Sequence, residues 1–228
     1  MDRLFAISDI HGCFNTFYEL LVNTIRLTRN DKLVLLGDYI DRGPGSREVI
    51  DFIIDLKTKD FNVVALAGNH EQMLVDAFKD HDLLPLWLLN SGNTTLESLK
   101  INSLSDIDPK FINFFTGLPY FEKEGDNYFV HAGFNDQLQD PFSDSDGMIW
   151  QCRQAYSNPL LAGKRIIHGH RPKTISHVKN LISGQSPVIP IDTGCVYAEE
   201  NGYGHLSALE INSMELISIR RAAEDNIF

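Results

Sequence analysis

Gly37-Asp38-Tyr39-Ile40-Asp41-Arg42-Gly43 directly follows the apolar run Leu33-Val34-Leu35-Leu36. A short run of this kind reads as a buried strand. The chain therefore leaves a core strand and at once presents two carboxylates and a guanidinium between two glycines, which permit tight turns on either side. A carboxylate beside an arginine at a strand end suits a metal ion and a phosphate held side by side. On this heptapeptide alone, an Asp–Arg pair on a polar loop explains the pattern equally well.

Repetition separates the two readings. Phe5-Ala6-Ile7 leads into Asp9-Ile10-His11-Gly12, and Val63-Val64-Ala65-Leu66 into Gly68-Asn69-His70-Glu71. Tyr128-Phe129-Val130 leads into His131-Ala132-Gly133, and Ile166-Ile167 into His168-Gly169-His170. Each short apolar run ends in Asp, Asn or His beside Gly. Ligands of open α/β sheets bind outside the carboxyl ends of the strands. Packing does not explain five strand ends that all deliver metal-type ligands.

The order of elements gives the fold class. Strands over 3–8, 33–37 and 62–67 alternate with helices over 14–27, 46–56 and about 70–79, which predicts parallel strands with right-handed crossovers. Residues 80–126 break this rhythm and read as an insertion beside the site. The remainder is mostly strand, at 127–131, 164–168, 187–191, 204–210 and 214–220, with tight turns expected at Asn201-Gly202 and Asn212-Ser213. The expectation is one α/β domain over 1–228, with two facing sheets and helices outside.

Composition narrows the function. A net charge of −11 argues against a nucleic-acid binder that works through a basic face. It does not argue against a phosphate substrate, because bound divalent ions reverse the charge locally. Cys13, Cys152 and Cys195 are widely spaced and read as reduced thiols. The amino-terminal stretch lacks a signal-peptide layout, and no segment is long enough to span a membrane. The expected location is the cytoplasm.

Asp9 and His11 lie two apart at a strand end, so an extended backbone points both side chains the same way. With Asp38 they form a mixed O/N set for one divalent ion. Asn69, His131 and His170 form a second set, and Asp38 is the natural bridge between them. Two ions about 3.5–4 Å apart clamp the attacking and leaving oxygens of an in-line displacement. Donors without thiolate suit Mn²⁺ first, with Fe or Zn also accommodated. His70, beside the ligand Asn69 and with an Asp available to fix its tautomer, reads as an acid/base group.

The ordered set SDIHG, GDYIDRG, GNHE, HAG and GHRP resembles the phosphoprotein phosphatase branch of the calcineurin-like metallophosphoesterases, in particular its bacterial and lambda-phage type. The likeness spans nearly the whole chain, including Trp87-Leu88-Leu89-Asn90 and Ile191-Asp192-Thr193-Gly194. It implies an α/β/β/α sandwich of two mixed sheets. It further implies direct attack on phosphorus by a metal-bridging hydroxide, Arg42 on the phosphate oxygens, and His70, oriented by Asp41, as the acid for the leaving oxygen. Arg153 is the candidate for a second phosphate-binding arginine, although it stands one position later after Trp150 than the family pattern. Two further departures are Ser8, where the family has Gly, and Arg171, where it has Thr.

The expected substrates are phosphomonoesters of the phosphoserine/threonine protein type, with dinucleoside tetraphosphates cleaved symmetrically as the alternative on the same site. Gly68-Asn69-His70-Glu71 resembles the first class and Gly43-Pro44-Gly45-Ser46 the second. A non-catalytic scaffold should have lost ligands, and every expected ligand is present. His168, Asp192, Glu71, Cys13 and Cys195 are expected to be structural.

Overall fold

The computed structural model describes residues 2–199 and 202–226. Asn201 of the expected Asn201-Gly202 turn lies outside the described residues. The strands are β1 (Leu4–Ile7), β2 (Lys32–Leu35), β3 (Asn62–Ala65), β4 (Phe121–Glu124), β5 (Asn127–Val130), β6 (Arg165–His168), β7 (Val188–Pro190), β8 (His205–Glu210) and β9 (Glu215–Arg220). The helices are α1 (Phe14–Tyr18), α2 (Ser46–Thr58), α3 (Asn69–Lys79), α4 (Leu84–Leu89), α5 (Gly92–Leu99), α6 (Pro109–Thr116), α7 (Ser145–Trp150) and α8 (Ile175–Ser183).

Two mixed sheets result. The first runs β3-β2-β1-β8-β9, with β1, β2 and β3 parallel and the β8–β9 hairpin added antiparallel to β1. The second runs β4-β5-β6-β7, with β4 alone antiparallel. Leu4, Ala6, Val34 and Leu36 of the first sheet pack on Phe129, Ile167 and Ile189 of the second. Phe5, Ile7, Leu33 and Leu35 alternate with them and meet Phe17 of α1 and Val49, Ile50 and Ile53 of α2. Both faces are buried, so the strands read as continuous apolar runs rather than alternating ones. Burial of each such side chain stabilises the fold by about 1.5–3 kcal/mol.

The outer face of the second sheet is covered by Phe134, Met148 of α7 and Leu161. The helices of 80–126 run along α2 and α3, and Trp87, Leu99, Phe111 and Phe115 join the same core as α1 and α2. No helix among the described residues is long and apolar enough to cross a membrane.

The expected helix over 14–27 changes character part-way. After α1 the chain winds as a π-helix over Glu19–Thr24. Ile25 N–H bonds Leu20 O at 2.9 Å and Leu27 N–H bonds Leu21 O at 2.9 Å. Leu20, Leu21 and Ile25 of this turn are all buried.

The start of α1 is held from the far end of the chain. Buried Asp225 accepts from Asn15 N–H (3.1 Å), Thr16 N–H (2.7 Å) and Thr16 Oγ1 (2.6 Å). An acceptor at a helix N-terminus satisfies amides that have no partner within the helix. Asp225→Ala is expected to lower stability by about 2–3 kcal/mol, because it strands buried donors. Urea unfolding measures this, and a loss below about 0.5 kcal/mol, the size of an ordinary surface substitution, would contradict it.

Candidate active site

The parallel strands of both sheets discharge onto one rim. Asp9 follows β1, Asp38 follows β2, Asn69 opens α3 just after β3, His131 follows β5, and His170 stands two residues past β6. All five, with His11, converge there as the sequence pattern predicts. His131 Nε2 lies 2.9 Å from Asn69 Oδ1, 3.1 Å from His170 Nδ1 and 3.5 Å from Asp38 Oδ2. His11 Nε2 lies 3.5 Å from Asp38 Oδ2 on the other side. Asp38, His131 and His170 thus form one group, and His11, Asp38 and His70 another, each with ligand atoms within 4.8 Å of one another. Asp38 belongs to both. Asp9 faces them from the β1 side, its oxygens taken by the His170 N–H (3.1 and 3.0 Å) and the Ser8 hydroxyl. The Ser8 contact is one that a glycine could not make.

This donor set fits divalent cations. His131 donates Nδ1–H to Leu36 O at 2.8 Å and His11 donates Nδ1–H to Ile40 O at 2.9 Å. Both Nε2 lone pairs are therefore turned inward, the usual arrangement of metal-ligating histidines. Nitrogen and oxygen atoms facing one another at about 3 Å are reconciled by a proton or a cation between them, and this cluster offers more acceptors than protons. Protonation states agree. Burial pushes His11 down to about 3, aided by the charge of Arg42. Burial and His131 push His170 down to about 4. Burial would raise Asp38, but the imidazoles of His131, His70, His11 and His170 outweigh it and hold the carboxyl below its usual range. Neutral imidazole and ionised carboxylate are the forms that bind metal.

The backbone at these positions is unusual. His11 (φ 45°), Asp38 (55°), Asp41 (67°), Arg42 (70°) and His170 (68°) all occupy the left-handed region, which costs roughly 1–2 kcal/mol per non-glycine residue. Gly37, at φ 100° and packed on Gly68, allows the chain to enter this loop. Glu71 holds it. Its carboxylate is buried and accepts from Asp38 N–H (2.9 Å), Tyr39 N–H (2.8 Å) and Gly68 N–H (3.0 Å). Glu71 sits in the first turn of α3, a structural role, and it also shapes the Asp38 loop. Burial, with Asp38 close by, raises its carboxyl to about 7.

His70 is buried and gives Nδ1–H to Asp41 Oδ2 at 2.7 Å. Asp41 also accepts from Trp87 Nε1–H (2.9 Å) and Thr95 Oγ1 (2.6 Å). Trp87 stands in the tetrapeptide singled out in the sequence, but Thr95, in a helix the sequence did not declare, gave no signal. With three donors, Asp41 is satisfied as an anion, and we assign the negative charge to it although burial opposes that charge. Burial would also lower His70, but Asp38 and Asp41 raise it above its ordinary value. Arg42 bridges the two imidazoles, Nη1 to His11 Nε2 at 2.6 Å and Nη2 to His70 Nε2 at 3.0 Å.

Arg153 is not part of this group. It lies past Trp150, in a cavity shared with Arg171, Lys173 and His168, and no hydrogen bond joins it to the ligand set. His168 is buried, and burial pushes it down to about 4 while its Nδ1–H is given to Gly169 O at 3.0 Å. Asp192 Oδ1 accepts Gly194 N–H at 2.8 Å and so holds the turn after β7. Cys13 and Cys195 are buried free thiols.

The chain belongs to the calcineurin-like phosphoesterases, whose family model matches residues 3–203. It is a metal-dependent phosphoric ester hydrolase of that family. It is 26% identical over 241 residues to the asymmetrical bis(5'-nucleosyl)-tetraphosphatase PrpE of Oceanobacillus iheyensis, covering 95% of this chain and 92% of that protein. It is 36% identical over 91 residues to serine/threonine-protein phosphatase 1 of Salmonella typhimurium, covering 40% of this chain and 39% of that protein. The fold matches that of a protein serine/threonine phosphatase from Saccharomyces cerevisiae with a TM-score of 0.64 at 15% identity, over 100% of this chain and 82% of that one.

Glu71→Ala removes the acceptor for three buried amides. It is expected to cost about 2–4 kcal/mol of stability and to lower bound metal. Unfolding in chelator reads the first effect and mass-spectrometric metal content the second. Wild-type values in both would show that Glu71 does not hold the loop.

Proposed function

We propose that the chain hydrolyses phosphoric esters and anhydrides with two divalent ions, and that dinucleoside polyphosphates are its substrate class. The hydrogen-bonded chain from Trp87 and Thr95 through Asp41 to His70 and Arg42, set against the converging ligand atoms, carries this reading. Asp9, His11 and Asp38 would hold one ion, and Asp38, Asn69, His131 and His170 the other. When bound, the ions supply an activated water and offset phosphate charge. Mn²⁺ suits these oxygen and imidazole donors.

The residues divide the remaining work. Arg42 presents a two-pronged donor, matched to two oxygens of a phosphate. In the free site those prongs rest on His11 Nε2 and His70 Nε2. A phosphate that takes them leaves His70 Nε2 free to carry a proton. Asp41 fixes the ring by holding Nδ1–H, so the proton at Nε2 points toward the leaving oxygen. This is general acid catalysis by a buried, oriented imidazole.

Similarity over nearly the full length of a tetraphosphatase favours dinucleoside polyphosphates. A second reading, phosphoserine or phosphothreonine in proteins, is favoured by Gly68-Asn69-His70-Glu71 and by the shorter match to a protein phosphatase. The test is turnover of diadenosine tetraphosphate, phosphopeptide and p-nitrophenyl phosphate. Chelator should abolish all activity, Mn²⁺ should restore it, and diadenosine tetraphosphate should show the highest kcat/KM. Full turnover by metal-stripped protein would refute the metal-dependent reading, and preference for phosphopeptide would move the substrate to the second.

His70→Asn separates acid catalysis from metal binding. It should lose roughly 10²–10⁴-fold in kcat on substrates with poor leaving groups. On p-nitrophenyl phosphate, whose leaving group needs no proton, the loss should be clearly smaller, with metal content unchanged. An equal loss across leaving groups of graded pKa, or a fall in bound metal, would remove His70 from the acid role.

A further inference from the structure

One cavity away from the ligand set is unlike the rest of the surface. It has a volume of about 610 Å³ and lies between the 152–154 loop, the end of β6 and α8. Small-molecule sites fall in this size range. Arg153, Arg171, Lys173, His168 and His177 line it, and no carboxylate does. In a chain of net charge −11 such a wall is not an average sample of the surface. Some basic side chains elsewhere find acids, as Lys32 does with Glu122 and Glu124, but what marks this cavity is that its basic groups share one wall with no acid in it. Among the described residues, Arg153, Arg171 and Lys173 form no salt bridge. Asp136, on the adjoining loop, spends its oxygens on Ser157 and Asn158.

Two observations add to the charge. Arg153 Nε is the one buried side-chain polar atom among the described residues without a hydrogen-bond partner. Such a donor is costly unless something accepts from it. Lys173 and His177 flank the start of α8, where Thr174 caps the helix through the His177 N–H at 3.2 Å. The partial positive charge of a helix N-terminus has the same sign as the Lys173 ammonium beside it. Like charges gathered this way repel until an anion is bound. Burial pushes the Cys152 thiol up to about 11, so it lines the cavity as a neutral group.

The cavity adjoins the ligand set. Arg171 directly follows His170, and Trp150, 44% exposed, stands edge-on to the His170 ring at 5.9 Å. The chain thus passes from the ligand His170 to the cavity-lining Arg171 in one residue. We propose that this cavity is a second anion subsite, which holds a phosphate of the substrate other than the one cleaved. The proposal rests on the hydrolase reading above and specifies its substrate: a chain of anhydride-linked phosphates reaches both sites, whereas a monoester fills only the first. Guanidinium and ammonium groups are the side chains suited to phosphate oxygens.

Lys173 belongs to the cavity alone, so it carries the test. In the Mn²⁺-loaded enzyme, Lys173→Ala should raise KM for diadenosine tetraphosphate about tenfold or more, the worth of one charged contact. Lys173→Arg should restore it, and the constants for p-nitrophenyl phosphate should stay within about twofold. Calorimetric titration with tripolyphosphate in excess Mg²⁺ gives a readout apart from turnover. Its Kd should rise about tenfold in both Lys173→Ala and Arg153→Ala. Unchanged KM and Kd, or equal losses on both substrates, would overturn the subsite. A Kd that moves while KM does not would assign the cavity to a free anion and overturn the substrate role. Wild-type protein that turns over neither substrate would defeat the hydrolase reading, and the titration would still decide the cavity.

Discussion

The Glu71 carboxylate, buried under the loop that follows β2, is the interaction on which the site depends. It takes the amides of Asp38 and Tyr39 in a segment whose backbone is otherwise unfavourable. The Asp38 carbonyl then accepts from Ile10 N–H at 3.0 Å and His11 N–H at 2.8 Å, so the loop after β1 is set by the loop after β2. The His70 N–H closes the arrangement on Asp38 Oδ1 at 3.1 Å. Three strand ends are thereby locked together before any ligand arrives. The strain at His11, Asp38, Asp41 and Arg42 is offset by hydrogen bonds that the same residues make. Backbone strain at functional sites persists where its surroundings over-determine it.

Electrostatics follow from that geometry. An acidic chain concentrates imidazoles and carboxylates at the rim in the protonation states that bind cations, and places Arg42 across the opening. In the neighbouring cavity, which begins at Arg171, the sign changes, and Arg153, Arg171 and Lys173 gather without acids. Neither feature would attract a polyanion at long range in a protein of net charge −11. Both act at short range, where a low dielectric strengthens each contact.

Much of this was legible in the sequence because it is local. The runs before Asp9, Asp38, Asn69, His131 and His170 are buried on both faces, so each reads as continuous apolar residues that stop abruptly at a polar ligand. Parallel pairing of β1, β2 and β3 follows from the alternation with helices. What the sequence did not declare depends on long-range packing. Thr95 reaches Asp41 only because α5 lies along α2. Glu71 is an ordinary helix-opening residue until the Asp38 loop folds over it. Arg153 is one position off a family pattern, and that displacement goes with its place in the second cavity rather than beside Arg42. The π-helical turn after α1 has no periodic signature, because its apolar positions Leu20, Leu21 and Ile25 also fit an ordinary helix.

The shared carboxylate of Asp38 is the claim that most directly tests this picture. Anomalous X-ray scattering from crystals grown with Mn²⁺ locates bound metal without reference to activity. Two peaks about 3.5–4 Å apart, both within bonding distance of Asp38, are expected. A single peak, or two peaks of which one does not touch Asp38, would contradict a site built around that bridge.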